Sequence, residues 1–81
     1  MRNSRIGKLV SASGNMTIDN LGFQSESVKR GQVFLVVAYG KCDNYGDVFP
    51  GNGYLLLSQE SGKYSFWEEE EAPIEEYFNY I

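Results

Sequence analysis

The feature that most constrains the fold of this chain is the segment QVFLVVAY, Gln32 to Tyr39, in which seven consecutive residues are apolar. β-branched and aromatic residues favour a strand, and the side chains of a strand point alternately to its two faces. Apolar residues on both faces predict either a central strand covered on both sides, or a strand with one core face and one binding face. The two predicted faces are Val33, Leu35, Val37 and Tyr39 on one side, and Phe34, Val36 and Ala38 on the other.

Other short apolar runs predict further strands, separated by turn residues. A long connection, Gly40 to Gly53, holds too many glycines for a helix. Gly14-Asn15 suits the tight turn of a hairpin. The predicted elements are a first strand at Arg5 to Ala12, a return strand at Met16 to Asp19, a loop over Asp19 to Gly31, a strand at Tyr54 to Gln59, a turn at Glu60 to Gly62 and a strand at Lys63 to Trp67.

The C-terminal segment FWEEEEAPIEEYFNYI contains six glutamates and no basic residue. Pro73 suits the first turn of a helix, and acidic residues favour the positive end of the helix dipole. One helical face would carry Ile74, Tyr77, Phe78 and Ile81. The pattern predicts an acidic loop, Glu68 to Glu71, followed by a helix of about eight residues that is stable only when it is docked.

The pattern VKRGQVFLVV … GYLLLSQESGKYSFW, within residues 28–67, resembles small SH3-like β-barrels, and OB-fold barrels share much of it. The ALYDY-type motif is missing, so the resemblance does not imply binding of proline-rich peptides. The predicted fold is mostly β: a small SH3-like or OB-like, partly open barrel of about five strands with a short C-terminal helix. The 81 residues form a single domain, with the barrel at about 5–67 and the acidic segment and helix at 68–81.

Several kinds of chemistry lack the residues that they need. The chain has no histidine, and its lone cysteine, Cys42, excludes a four-cysteine metal site within one chain. GDVFPGNG lacks the Lys-Ser/Thr of a phosphate-binding loop, and DNYGD does not have the spacing of a calcium loop. Glu68 to Glu71 would need a deep cleft for glycoside hydrolysis. We therefore expect no catalysis, no metal and no cofactor, and a single cysteine is typical of a cytoplasmic protein.

Charge is divided unevenly along the chain. Residues 1–41 carry six basic and two acidic side chains, whereas residues 42–81 carry one basic and nine acidic side chains. The acidic half should repel nucleic acids and anionic membranes, and should attract a basic protein surface.

The favoured hypothesis is a non-enzymatic protein-binding module, specifically an inhibitor whose acidic C-terminal edge occupies a basic, nucleic-acid-binding surface of a partner enzyme. Compact acidic barrels of this size resemble the accessory proteins with which phages inhibit host enzymes, such as anti-CRISPR or anti-restriction proteins. A solubilising role for the glutamates is the alternative. The predicted partner-binding residues are Glu68, Glu69, Glu70, Glu71, Glu75 and Glu76, with Tyr45, Phe49 or Trp67 as aromatic anchors. Tyr45, Val48 and Phe49 would alternatively form a small core under the loop.

A second hypothesis is direct nucleic-acid binding, for which aromatic side chains would stack bases and basic side chains would follow the backbone. The aromatic candidates are Tyr39, Tyr54, Tyr64, Phe66 and Trp67, and the basic candidates are Arg2, Arg5, Lys8, Lys29, Arg30 and Lys41. A third hypothesis is self-association through the strand at 33–39.

Overall fold

The computed structural model describes residues 4–20, 24–41, 52–68 and 72–81. These residues form seven antiparallel strands and one short helix. The elements are β1 (Leu9–Ala12), β2 (Met16–Asn20), β3 (Ser25–Val28), β4 (Val33–Lys41), β5 (Asn52–Ser58), β6 (Tyr64–Glu68), α1 (Ile74–Tyr77) and β7 (Phe78–Tyr80).

The mostly-β prediction is confirmed, but the predicted number of about five strands is wrong. All seven strands belong to one sheet with the order β3-β2-β6-β5-β4-β1-β7. The two additional strands, β3 and β7, lie at its edges. Strand β3 has the sequence SESV, in which only Val28 is buried. No apolar pattern marks this segment as a strand, and β3 forms because it pairs with β2.

The predicted hairpin at Gly14-Asn15 is also wrong. Strand β1 pairs with β4 and β7, whereas β2 pairs with β3 and β6. In the sheet order β1 and β2 are four strand spacings apart, which is about 19 Å in a flat sheet. The four residue steps from Ala12 to Met16 reach at most about 14 Å. The sheet therefore curls, and Asn15 Oδ1 accepts a hydrogen bond of 3.0 Å from Arg30 N of the β3–β4 connection.

This curl does not confirm the predicted SH3-like or OB-like barrel. Among the described residues, β3 and β7 each pair with a single neighbour, so the sheet is open. The first strand is also shorter than predicted. Residues 4–7 form a turn in which Gly7 has φ of 87°, a value that favours glycine, and β1 begins only at Leu9.

The core lies on the inner face of the curled sheet. Its buried apolar side chains come from six strands and the helix, and they are Val10, Ala12, Ile18, Val28, Phe34, Val36, Tyr54, Leu56, Ile74 and Phe78. On β4 the inner positions are Phe34 and Val36, as the alternation predicts. A register shift between Val36 and Ala38 then changes the alternation, so that Tyr39 pairs with the inward-facing Tyr54 instead of sharing a face with Leu35.

The C-terminal segment covers the core, but only its first turn is helical. Helix α1 is four residues long, and the chain continues as β7 along the edge of β1. Ile74 and Phe78 of the predicted apolar face are 1% and 2% exposed, whereas Ile81 is 72% exposed. The prediction of an eight-residue helix is wrong. The spacing of Ile74 and Phe78 fits a helix, but the edge of β1 offers backbone hydrogen bonds, and residues 78–80 pair with it as a strand. Within the described ranges no helix is long and apolar enough to cross a membrane.

Candidate partner-binding surface

Trp67 joins the two ends of the acidic segment, Glu68 to Glu71. Its indole Nε1 donates a hydrogen bond of 3.0 Å to the carbonyl oxygen of Ala72, the first described residue after the segment. Its ring centroid lies 5.2 Å from that of Tyr77 and 5.2 Å from that of Phe78. The tryptophan that was predicted as a partner anchor therefore also fixes the points at which the chain enters and leaves the acidic segment.

The predicted acidic residues fall into different environments. Glu68 ends β6 opposite Gly53 and is half-buried, while Glu76 lies exposed on α1. Glu69, Glu70 and Glu71 lie outside the described residues, as do the predicted aromatic anchors Tyr45 and Phe49. Their partner-binding role stays a prediction.

Glu75 is held by a cluster that we call the Arg5 clasp, which consists of Arg5, Tyr54, Glu75 and Tyr80. One carboxylate oxygen of Glu75 accepts hydrogen bonds from Arg5 Nε and from the Tyr80 hydroxyl, both at 2.5 Å. Arg5 also donates to the Tyr54 hydroxyl at 3.1 Å, and its guanidinium lies 5.9 Å from the centre of that ring. The clasp thus connects the turn before β1 to the segment that covers the core.

The clasp keeps Glu75 ionised. Hydrogen bonds from Arg5 and then from Tyr80 lower the pKa of Glu75 to about 2. Partial burial of the phenol, together with its hydrogen bond to Glu75, raises the pKa of Tyr80 to about 12. The hydrogen bond to Glu75 also raises the pKa of Arg5 further above its ordinary value. Because the guanidinium neutralises the carboxylate, Glu75 adds little to the net negative charge of this edge.

No pattern in the sequence pairs Arg5 with Glu75. Arg5 and Glu75 are 70 residues apart in the chain, and Tyr80 was not among the predicted site residues. Alternation along β7, with Phe78 and Tyr80 on the same face, is the one local pattern that identifies Tyr80 as a neighbour of the core. It becomes visible only when the segment is recognised as a strand.

Of the candidates for nucleic-acid binding that the structure describes, two aromatic rings are buried and one basic side chain is already paired. Tyr54 and Phe66 are 0% and 6% exposed, so their faces are not open to bases, whereas Tyr39 and Tyr64 are 41% and 44% exposed. The exposed Lys8 precedes β1, and Lys29 follows β3 near the other end of β1. This separates the backbone positions of the two lysines by roughly the length of a four-residue strand, about 13 Å. Arg5 is already paired in the clasp, and Arg2 lies outside the described residues.

Within the part of the chain that is described, no group of three or more histidine, cysteine, aspartate or glutamate side chains is placed to hold a metal ion. Comparison of this chain with protein-family models, with curated proteins and with solved structures found no significant match.

Proposed function

We propose that this chain is a non-enzymatic protein-binding module that inhibits a nucleic-acid-handling enzyme by occupying its basic surface with the acidic segment. The single observation that supports this proposal most strongly is the hydrogen bond from Trp67 Nε1 to the carbonyl oxygen of Ala72. A run of glutamates with fixed ends loses less conformational entropy on binding than a free tail would lose. The bond therefore favours a recognition element over a purely solubilising tail.

The charge distribution around the segment supports the same proposal. The neighbouring Glu75 is neutralised by Arg5, whereas Glu76 is exposed on α1. Within this proposal, Glu68 to Glu71 and Glu76 supply the negative charge, and Glu75 holds α1 in place. Closely spaced carboxylates have a charge pattern similar to that of a nucleic-acid backbone, so a basic groove that binds nucleic acid can also bind them.

Aromatic side chains beside the acidic segment would supply the apolar contact. Tyr77 is 42% exposed and packs against the half-buried Trp67. Aromatic residues are enriched at the energetic centres of protein interfaces, so this pair is suited to anchor a partner. Tyr45 and Phe49 stay in the proposal as predicted anchors.

The proposal includes the finer predictions about scaffold and setting. The curled sheet would be an open relative of SH3-like or OB-like barrels, and the setting would be the cytoplasm of a phage-infected cell. Small size, net charge of −4 and a single cysteine support an anti-CRISPR or anti-restriction type of inhibitor.

The test is affinity capture from nuclease-treated lysate of the native host, with the tagged full-length chain. We expect the chain to retain an enzyme that handles nucleic acid at low salt, and we expect high salt or added duplex DNA to release it. The variant Glu69→Lys/Glu70→Lys should weaken capture at least about tenfold, because it reverses charge within the acidic segment. The matched control is Asp19→Lys/Glu60→Lys, which makes the same charge change at exposed positions on β2 and in the β5–β6 turn.

Equal capture by both double variants would contradict the proposal, because net charge alone would then explain binding. Capture of nucleic acid instead of protein would favour direct nucleic-acid binding by the basic half. Deleting residues 68–81 is not a useful test of that alternative. The deletion would remove Ile74 and Phe78 from the core, and the remaining chain would lose the cover of its inner face.

A further inference from the structure

Glu26 places a charged side chain on the inner face of the sheet. It pairs with Ile18 across β2 and β3, and residues directly opposite each other in antiparallel strands share a face. Ile18 is 3% exposed, and Val28, two positions further along β3, is 1% exposed. The carboxylate of Glu26 therefore projects toward the same side of the sheet as these two core residues.

The stability of the fold does not explain a glutamate at this position. The Oε1 atom of Glu26 is buried, and it accepts no hydrogen bond from the described part of the chain. A buried oxygen without a hydrogen bond costs free energy, whereas an apolar side chain at the same place would pack beside Ile18. The residue as a whole is half-buried, so its side chain keeps part of its contact with solvent.

The strand that carries Glu26 lies at an edge of the sheet. Among the described residues β3 pairs only with β2, so the backbone N–H and C=O groups on its other side face no described strand. Such an edge is a template on which a strand of another molecule can add. Protection of this edge therefore has to come from the side chains of β3 itself.

Glu26 is the only side chain of β3 suited to that protection. The strand has the sequence SESV, in which the other three residues are small or apolar and carry no charge. The exposed Lys29 and Arg30 come after Val28, the last paired residue, so their charges flank the strand and do not lie within it.

We propose that Glu26 prevents the addition of a further strand at the β3 edge. An added strand would lie on the side of β3 that β2 leaves open, and it would cover the part of Glu26 that still contacts solvent. The carboxylate would then be buried without a partner, which opposes the gain from the few backbone hydrogen bonds of a four-residue strand. Inward-pointing charges protect edge strands of natural sheets in this way.

The role of Glu26 does not depend on the proposed inhibitory function, because it concerns only β2, β3 and the free edge. The acidic segment follows β6, and neither β3 nor Glu26 contributes to it. A failure of the capture experiment would leave this inference unchanged, and its own test uses only this chain.

The test is sedimentation velocity of the purified full-length chain and its variants, from about 10 μM to about 1 mM, a range suited to weak association. A second copy of the chain serves as the probe, because it brings an identical β3 edge at a known concentration. We expect Glu26→Val and Glu26→Thr to associate at least about tenfold more strongly than the natural chain, because neither buries a charge. Amide hydrogen exchange of residues 25–28 should then become slower as the concentration rises, since a joined edge protects these amides.

Two control variants separate the position of the charge from its other effects. Glu60→Val removes a carboxylate at an exposed position of the β5–β6 turn, and it should leave association unchanged. Glu26→Lys keeps a charge at the inward position, and it should also leave association unchanged, because an added strand would bury an unpaired ammonium instead. Circular dichroism of each variant verifies that the fold is retained.

Equal association of the natural chain and both uncharged variants would overturn the proposal. Stronger association without slower exchange in β3 would also overturn it, because the copies would then meet elsewhere. If Glu60→Val or Glu26→Lys associates as strongly as Glu26→Val, an inward charge is not what protects the edge.

Discussion

The two faces of β4 carry similar side chains in different environments. Phe34 and Val36 on the inner face are both 0% exposed, whereas Val33 and Leu35 on the outer face are half-buried. The inner face is closed because the sheet curls and because Ile74 and Phe78 of the C-terminal segment pack onto it. On the outer face, by contrast, Leu9 and Tyr64 are 41% and 44% exposed, although Phe66 on the same face is 6% exposed.

This difference shows what the apolar run at 33–39 does and does not determine. It determines that a strand forms and that both of its faces are apolar. Which face becomes the core depends on the C-terminal segment, which lies about forty residues further along the chain. The structure buries one of these faces in the core and leaves the other half-buried, and a binding role for the second face stays a prediction.

The largest loss of stability is expected from a substitution that removes a core side chain from the inner face. Phe78 contacts Phe34 edge-to-face, with ring centroids 5.7 Å apart, and it also contacts Trp67. Phe78→Ala should lower the free energy of unfolding by about 3–5 kcal/mol, because it leaves a cavity in the core. Leu9→Ala on the outer face should cost less than about 1 kcal/mol, because Leu9 is 41% exposed.

Urea unfolding of both variants checks this comparison. A loss for Leu9→Ala as large as that for Phe78→Ala would mean that the outer face is also covered in the monomer. That result would contradict the assignment of the Leu9 side chain to a solvent-accessible face of the sheet.

A smaller loss of stability is expected from a substitution at Gly53, where the outer face of β5 is tightly packed against β6. A Cβ at Gly53 would lie 2.1 Å from the carbonyl oxygen of Trp67 and 2.8 Å from the Phe66 ring. Gly53→Ala should therefore destabilise the fold by about 1–3 kcal/mol, because backbone cannot move aside as a flexible side chain can. Gly14→Ala is the matched control, since nothing lies within 4 Å of its added Cβ. Thermal unfolding of the two variants measures the difference, and equal melting temperatures would show that β5 and β6 can separate at no cost.

Local sequence patterns predicted the strands whose apolar residues alternate or run continuously. They predicted β4, β5 and β6 close to their observed bounds, and β2 within one residue. They missed β3 because its residues are mostly polar, and they missed β7 because Ile74 and Phe78 fit a helical spacing as well. They also joined β1 to β2 in a hairpin, since a turn sequence does not reveal which strands lie beside each other. In all three cases, β3, β7 and the predicted hairpin, the outcome depends on which strands pair with each other across the whole sheet.

The candidate site was predictable to a smaller extent. The glutamate run and Trp67 are visible in the sequence, and the structure adds that Trp67 fixes both ends of the run. In the sequence Glu75 does not differ from the other glutamates, because a sequence shows which residues are charged and not which of them are paired. Its partner Arg5 comes from the opposite end of the chain, and only the packing of β7 beside β1 brings the two together.

The smallest effect is expected from the Arg5 clasp, which ties the cover of the inner face to the turn before β1. The pKa of Glu75 is lowered from 4.5 to about 2, so the clasp stabilises the fold fully above about pH 4.5, and this contribution declines below that pH and is lost as the pH falls through about 2. Because the side chains of Arg5 and Glu75 are 36% and 39% exposed, solvent screening limits the contribution to about 0.5–1 kcal/mol. Glu75→Gln should therefore be less stable than the natural chain at pH 6, and the difference should shrink below about pH 4.5 and vanish only below about pH 2. Glu76→Gln, at an exposed position on the same helical turn, is the control for loss of a carboxylate alone.

Urea unfolding at several pH values gives the comparison. If the difference between Glu75→Gln and the natural chain does not change with pH, the ion pair does not hold the cover in place, and burial of Ile74 and Phe78 alone accounts for its position.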